Sequence, residues 1–181
     1  VTALQPSLVG RRALRGLAER ALDPAVVRRL FEAAVLAPSC ANKQPWRFVA
    51  IQEPALLEQL RDTFTEGNYW AKKAPLIVAA WTHLDYDMRL PEGRDFALYD
   101  LGQAVMALQV QVEHEGLISH PFAGFDVVRA SKLLELPEGA ILPALISVSF
   151  AGSADHLSEK HRDGESAARS RKPLDEVVSF R

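Results

Sequence analysis

The chain has 181 residues, 48% hydrophobic and 24% charged, enough for one domain with its own core and too few for two ordinary ones. A net charge of -2 gives no reason to expect nucleic acid or an anionic membrane surface as partner. The lone cysteine, Cys40, excludes an internal disulfide and any metal site of paired thiolates, and it fits a reducing compartment.

No apolar run reaches bilayer-spanning length, and Val1-Thr2-Ala3-Leu4-Gln5 lacks the charged and apolar parts of a signal peptide. A cytoplasmic location without a membrane partner is therefore expected, and Val1 in place of Met points to a trimmed natural start. Asp23-Pro24 is a strong helix start, a capping carboxylate followed by proline at the first helical position. Val26, Val27, Leu30, Phe31, Ala34 and Val35 then recur at three- and four-residue steps, and Pro38 ends the pattern. Trp46 to Ile51 reads as a buried strand, and Pro54 opens a second helix with the stripe Leu56, Leu57, Leu60 and Phe64. The run Pro75 to Trp81 is too short for a helix and reads as a core strand, and Thr82 to Gly93 reads as loop.

Phe96 to Glu115 is apolar on most of its circumference, which predicts a helix covered by protein on nearly all sides, with Gly116 as its C-terminal cap. Asp126 caps a short helix through Leu134, and Pro137-Glu138-Gly139 turns the chain into a third strand, roughly Ile141 to Phe150. Gly152 to Lys172 is polar without periodicity, yet Pro173 to Phe180 again has apolar residues to bury. So long a connection predicts a tail that crosses to a partner subunit or is mobile. The order of elements is that of a mixed α and β protein.

Gly10-Arg11-Arg12-Ala13-Leu14-Arg15 and Arg169-Ser170-Arg171-Lys172 are basic clusters near opposite ends of the chain. Each alone is readily a solvated charge run; together they could converge on one phosphate, for which the planar guanidinium is suited. Between them, Pro38-Ser39-Cys40-Ala41-Asn42-Lys43-Gln44-Pro45-Trp46 leaves a helix and enters a strand between prolines. It carries a hydroxyl and two amides able to meet a pyrimidine-like edge, or it is simply a polar connection. Gly124 permits close approach of backbone to a ligand or forms a plain turn. Cys40, with no resolving cysteine, reads as a small packed residue. No metal site is expected: His114 lacks the second histidine of a zinc helix, and His83, His120, His156 and His161 have no ligand spacing. There is no Gly-x-Ser-x-Gly elbow, phosphate-cradling glycine loop or Rossmann fingerprint.

Taken in order, Arg11 to Arg15, Pro38 to Phe48, Gly124 to Asp126 and Arg169 to Leu174 resemble the flavin-dependent nitroreductase family over nearly the whole chain, most specifically in the Pro38 to Phe48 loop. The resemblance implies an α+β, nitroreductase-like fold with a central mixed or antiparallel sheet flanked by helices. It implies a single domain over residues 1–181, and a homodimer in which residues from about 152 to 181 embrace the partner. FMN would lie at the subunit interface. Arg11 and Arg12 would meet its phosphate and ribityl region, Arg15 its N1/O2 edge, and Arg169 and Arg171 its phosphate. Pro38, Ser39, Cys40, Asn42 and Gln44 form the matching loop, of which Ser39, Cys40 and Asn42 would approach from the other subunit. Phe122, Ala123 and Gly124 would lie near flavin N5 through backbone groups, with Asn68 as a flavin-edge amide and Lys72 as a cationic neighbour. Ala13 departs from the serine of many relatives and offers no side-chain hydrogen bond.

The reaction so implied passes electrons from NADH or NADPH, a transient donor, through flavin N5 to a nitro-aromatic, a quinone or a similar small molecule by a ping-pong mechanism, with no catalytic side chain. The cofactor supplies the chemistry. Two alternatives stand beside it: the same FMN scaffold with another reaction, of dehalogenase, flavin-degrading or azoline-oxidase type, and a non-catalytic FMN- or anion-binding dimer. Thr82 to Gly93 and the region of Tyr69 and Trp70 would form the lid, with Tyr86, Asp87, Met88 and Arg89 shaping an acceptor pocket.

Overall fold

Period-two alternation in one buried strand divides the core in two. The computed structural model describes residues 4–181; Val1 to Ala3, and the expected trimming there, lie outside the described residues. Strand β2 (Leu76–Thr82) is buried at every position. Ile77, Ala79 and Trp81 face a cluster holding Ile51, Leu60, Trp70 and Leu145. Leu76, Val78 and Ala80 face another, holding Leu30, Leu101, Leu108 and Ile146. A strand covered on both faces reads as one continuous apolar run.

Around it, β1 (Trp46–Ile51), β3 (Ile118–Phe122) and β4 (Ile141–Ser149) form a sheet in the order β1-β2-β4-β3. Every pairing is antiparallel, with Phe48 opposite Ala80, Ala79 opposite Leu145 and Phe122 opposite Leu145. The fold is thus α+β, and the central sheet, expected as mixed or antiparallel, is antiparallel throughout. Strand β3 has no counterpart among the predicted elements. It contains Pro121, which a ladder tolerates at an edge, and it pairs with β4 alone.

Helix α1 (Pro6–Gly10) begins on Gln5, whose side chain accepts from Leu8 N (3.1 Å). Helix α2 (Pro24–Ala34) begins on Asp23, which accepts from Ala25 N (2.7 Å), and buries Val27, Leu30 and Ala34. Helix α3 (Pro54–Arg61) begins on Glu53, whose carboxylate is held below its ordinary pKa by hydrogen bonds from Ala55 N and Leu56 N. It ends sooner than the apolar stripe predicts: Phe64 lies past it, on a bridge to Phe125.

Helix α4 (Ala97–His114) packs on α2 and the sheet, and Gly116 follows it at φ 70°. Its expected cover is incomplete within one chain, since Leu98 and Tyr99 are 49% and 65% exposed. At its far end Arg29 of α2 grips Glu115 through two bonds of 2.7 Å, which hold that carboxyl down at about 2.

The Thr82 to Gly93 expectation is corrected in part: Thr82 belongs to β2, and two short 3-10 turns, Leu84–Tyr86 and Pro91–Gly93, follow. Helix α5 (Val127–Leu133) is capped by Asp126, which accepts from Arg129 N (3.0 Å). The tail holds α6 (Glu159–Ser166), which no apolar periodicity announces. Among the described residues, no helix is long and apolar enough to cross a membrane.

Candidate functional site

The two basic clusters meet. Arg169 donates to Leu8 O (3.1 Å), Val9 O (2.8 Å) and Arg11 O, closing the end of α1. Arg12 Nη2 donates to Ala167 O (2.8 Å) and, more weakly, to Gly164 O and Glu165 O, closing the end of α6. The same chain ends are joined where Gly152 N donates to Gly16 O (2.8 Å) and Ala18 N to Phe150 O (3.1 Å). A Cβ on Gly152 would stand 2.5 Å from the Leu17 carbonyl carbon, so the crossing requires glycine.

Arg12 and Arg169, expected on a phosphate, therefore spend donors on backbone carbonyls. Arg11 makes no side-chain hydrogen bond among the described residues, and Arg171 Nη1 bonds only to Ser170 O (2.6 Å). The Arg11 pKa is lowered by burial first, then by Arg169 and Arg171. Like charges held together, with Arg11 half-buried among them, favour an anion between them. Ala13 is exposed.

Arg15 is the next group inward. Its carbon Cζ lies 5.6 Å from the Trp70 ring centroid, a cation–π distance. Its Nε is buried without a partner, and its guanidinium makes no hydrogen bond among the described residues. Trp70 is 1% exposed and packs against His120 (4.3 Å) and Phe122 (5.6 Å). Trp70 is thus a wall of the core and not part of a lid.

His120 Nδ1 lies 3.2 Å from Leu14 O, and since a carbonyl only accepts, that nitrogen carries the proton. Burial, then Arg15, push the ring down to about 4. Tyr69 Oη accepts from Ser158 N (2.7 Å) and shares a hydrogen bond with His161 Nδ1 (3.2 Å), the two rings being stacked. The His161 pKa is lowered by burial and then by Arg15. Tyr69 is therefore a brace between the Glu66–Lys73 turn and α6, not a lid residue.

Beyond Trp70, Gly124 O accepts from Asn68 Nδ2 (2.8 Å), Thr65 Oγ1 (3.0 Å) and Thr65 N (3.0 Å). A side chain on Gly124 would overlap the Asn68 amide, so close approach explains the glycine. Asn68 Oδ1 accepts nothing among the described residues. Ala123 is exposed beside them. The Phe122 ring is committed to the core, edge-on to Phe64 at 5.0 Å, so only its backbone can serve a ligand there. Lys72 lies apart from these groups, in a groove of about 490 Å³ shared with Glu19, Gln52, Arg61 and Lys73; that groove holds no other nominated residue.

The Pro38 to Gln44 loop is wired internally. Gln44 N donates to Ser39 Oγ (2.9 Å), and Gln44 Nε2 to Asn42 Oδ1 (3.2 Å). Ala41, Asn42 and Gln44 all have left-handed φ, at 48°, 54° and 50°. Strain of this kind in non-glycine residues concentrates at ligand sites. Asp100, 1% exposed in the first turn of α4, holds the loop by accepting from Cys40 N (2.9 Å). Asn42 and Gln44 are exposed.

This loop and the cationic cluster do not meet in one chain. Cys40 rests on Asp100, whereas the end of α1 rests on Glu113, since a Cβ on Gly10 would strike that carboxylate. Asp100 and Glu113 lie near opposite ends of α4, about 20 Å apart at roughly 1.5 Å per residue.

The expected acceptor pocket at Tyr86 to Arg89 is corrected. Asp87 is buried and accepts from Ala97 N (2.6 Å) and Phe96 N, so it caps α4 from outside. Arg89 pairs with Asp85 (2.8 Å) and Tyr86 lies under Arg47 (4.5 Å). Met88 is 39% exposed.

Glu165 and Asp100 went unnoticed in the sequence, and His120 and Tyr69 were read there without the roles they take, because each acts on backbone or on partners remote in the chain. The one available signal was Asp100, an acid inside an otherwise apolar helix. Among the described residues, no cluster of three histidine, cysteine or acidic side chains could hold a metal ion.

Comparison with known proteins bears on the family and the fold. The model of the nitroreductase family matches residues 8–150. A relative from Thermus thermophilus, an NADH dehydrogenase, is 27% identical over 201 aligned residues, covering 94% of this chain and 92% of the relative. The solved structure of an oxidoreductase containing FMN superposes with a TM-score of 0.84 at 24% identity, over 98% of this chain and 91% of that one. A nitroreductase family protein from Streptococcus pneumoniae superposes at 0.80 with 21% identity, over 97% and 98%. The expected nitroreductase-like fold is the fold observed.

Proposed function

The chain belongs to the nitroreductase family, and from that premise we propose that it is an FMN-dependent oxidoreductase that takes electrons from NADH or NADPH. When bound, FMN would supply the redox chemistry that links the nicotinamide donor to a nitro-aromatic, a quinone or a similar acceptor. The observation that carries this reading is the uncommitted Arg15 guanidinium, its Nε buried without a partner, in a chain whose half-buried Arg11 lies close enough to Arg169 and Arg171 to feel their charge. Those residues fit the group. Arg11 and Arg171 would take the phosphate, and Arg15 an oxygen-bearing ring edge, where its charge favours the more negative reduced form. Ala123 is exposed and Gly124 half-buried beside it, and Asn68 offers a spare amide oxygen.

The reading takes residues 1–181 as one domain, with about 152–181 as an extension around a second copy. Arg11, Arg15 and Arg171 of one protomer would meet Ser39, Cys40 and Asn42 of its partner. Exposed Leu98 and Tyr99 leave α4 open to a second copy, and antiparallel pairing of two such helices about a two-fold axis would bring opposite helix ends together, as this site requires. Exposed Leu174, Val177 and Phe180 in the tail, 59%, 63% and 79% accessible, supply apolar surface for the embrace.

The test is reconstitution with FMN, reduction by NADH and by NADPH in separate stopped-flow runs, and a screen of nitro-aromatics and quinones. Bound FMN, reduction by either nucleotide and reoxidation by an acceptor of these classes are the expected results. Protein that stays colourless after incubation with FMN refutes the reading, and FMN-loaded, reduced protein that turns over none of these acceptors refutes the acceptor class.

A further inference from the structure

Three consecutive backbone groups around Arg15 are held by side chains from elsewhere. Leu14 O accepts from His120 Nδ1 (3.2 Å), Arg15 N donates to Glu165 Oε1 (2.9 Å), and Gly16 N donates to Glu165 Oε2 (3.0 Å). His120 stands on β3, the strand that leads to Gly124, and Glu165 stands on α6. A carboxylate that spreads its two oxygens over adjacent N–H groups fixes the orientation of the peptide between them as well as its place, and such charge-assisted bonds are stronger than neutral ones.

Glu165 has no ion-pair partner among the described residues. The Arg12 guanidinium nearby is turned to carbonyl oxygens, those of Gly164, Glu165 and Ala167. The acid is thus committed to the backbone of the residue whose own guanidinium is uncommitted. A Cβ on Gly16 would lie 2.9 Å from Gly152 O and 3.3 Å from Glu165 Oε2, so the absence of a side chain lets the acid come this close.

Helix α6 has no buried residue, so its seat depends on polar contacts: Tyr69 Oη at its start, Arg12 at its end and Glu165 between them. Hydrophobic burial, the usual reason for docking a helix, acts only through Leu157 just before its N-cap.

We propose that Glu165 is a positioning residue for Arg15: by holding the N–H groups of Arg15 and Gly16 it sets where the guanidinium meets the flavin ring edge, and it transmits the seating of the C-terminal helix to the cofactor. This rests on the placement of Arg15 under the proposed function. Two influences of opposite sign are in play. Through Arg15 the acid favours the reduced ring; by direct repulsion its own charge disfavours it. The sign of the potential change on removing the charge therefore separates positioning from mere proximity.

The experiment measures the FMN dissociation constant by fluorescence and the midpoint potential by spectroelectrochemistry. It compares the parent, Glu165→Gln, Glu165→Ala, Arg15→Ala and the Arg15→Ala/Glu165→Gln double variant. Glu165→Gln keeps one acceptor oxygen and should weaken FMN binding about fivefold, and Glu165→Ala about tenfold or more; both should make the potential more negative. In the Arg15→Ala background, Glu165→Gln should change the dissociation constant less than about twofold and drive the potential no lower. Equal effects in both backgrounds, no effect, or a less negative potential for Glu165→Gln would overturn the proposal while leaving the FMN reading intact. Arg15→Ala with unchanged FMN affinity and potential would instead remove Arg15 from the ring edge, and the proposal with it. Should circular dichroism show the Gln and Ala variants unfolded, Glu165→Asp, which keeps the charge but cannot reach both N–H groups, is expected to give the same negative shift; an unchanged potential there is equally contrary.

Discussion

Stability should fall as His120 is titrated against its surroundings. The ring lies against Trp70 and donates to Leu14 O, and burial, then Arg15, and also Arg11 and His161, push its pKa from 6.5 down to about 4. Well above pH 6.5 the ring is neutral whether folded or not and contributes nothing to the pH dependence. As pH falls below that value the unfolded chain takes up the proton first, so the folded state loses stability until the folded ring titrates near pH 4. With about 1.4 kcal/mol per unit, the loss between pH 8 and pH 5 is about 2 kcal/mol. Urea denaturation at fixed protein concentration, at pH 8, 6.5 and 5, measures it. His120→Gln should lack most of this loss. Depressed carboxyls such as Glu115, at about 2, act only below their unfolded value of 4.5 and so fall outside the window. Because the His161 pKa is also lowered, His161→Gln is the necessary control. Identical pH dependence for the parent and His120→Gln from pH 8 to pH 5 would refute the claim that the fold holds this ring neutral.

Arg15→Ala should make the flavin potential more negative, read by spectroelectrochemical titration; an unchanged or raised potential takes Arg15 off the ring edge. Arg171→Ala should leave the fold intact and cost about 1.5–3 kcal/mol in FMN binding, as for a hydrogen bond to a charged group; retention equal to the parent in equilibrium dialysis contradicts the phosphate assignment. Asp87→Ala should lower stability by about 2 kcal/mol in urea, because the amides of Phe96 and Ala97 lose their acceptor, while bound FMN is reduced at the parental rate. A slowed reduction with unchanged stability would return Asp87 to the acceptor pocket.

Elements that bury an apolar stripe behind a local cap were legible in the sequence. Asp23-Pro24, the Trp46 to Ile51 strand and Asp126 fall where periodicity and capping chemistry place them. Strand β3 escaped because Ile118-Ser119-His120-Pro121-Phe122 neither alternates cleanly nor avoids proline, and only its edge position beside β4 makes it a strand. Helix α6 escaped because its seat is polar and comes from Tyr69 and Arg12, remote in the chain. At the candidate site, the meeting of the two arginine clusters was readable from their residue types, but not the division of labour within them. That Arg12 and Arg169 are turned to carbonyl groups while Arg15 is left uncommitted depends on where α1 and α6 end. Asp87 looked like a pocket residue because a loop acid advertises no helix nine residues ahead.

Complementation between protomers tests most directly whether each flavin site draws its cations from one protomer and its Ser39 to Asn42 loop from the other. Arg15→Ala/Arg171→Ala protein and Ser39→Ala/Asn42→Ala protein, each deficient in FMN binding alone, can be mixed, dissociated and reassociated, and bound FMN counted per dimer. Shared sites predict that the hybrid dimer regains one functional FMN site, built from the intact cations of one chain and the intact loop of the other. A hybrid that binds no more FMN than its two parents would place each site within a single chain and contradict the account.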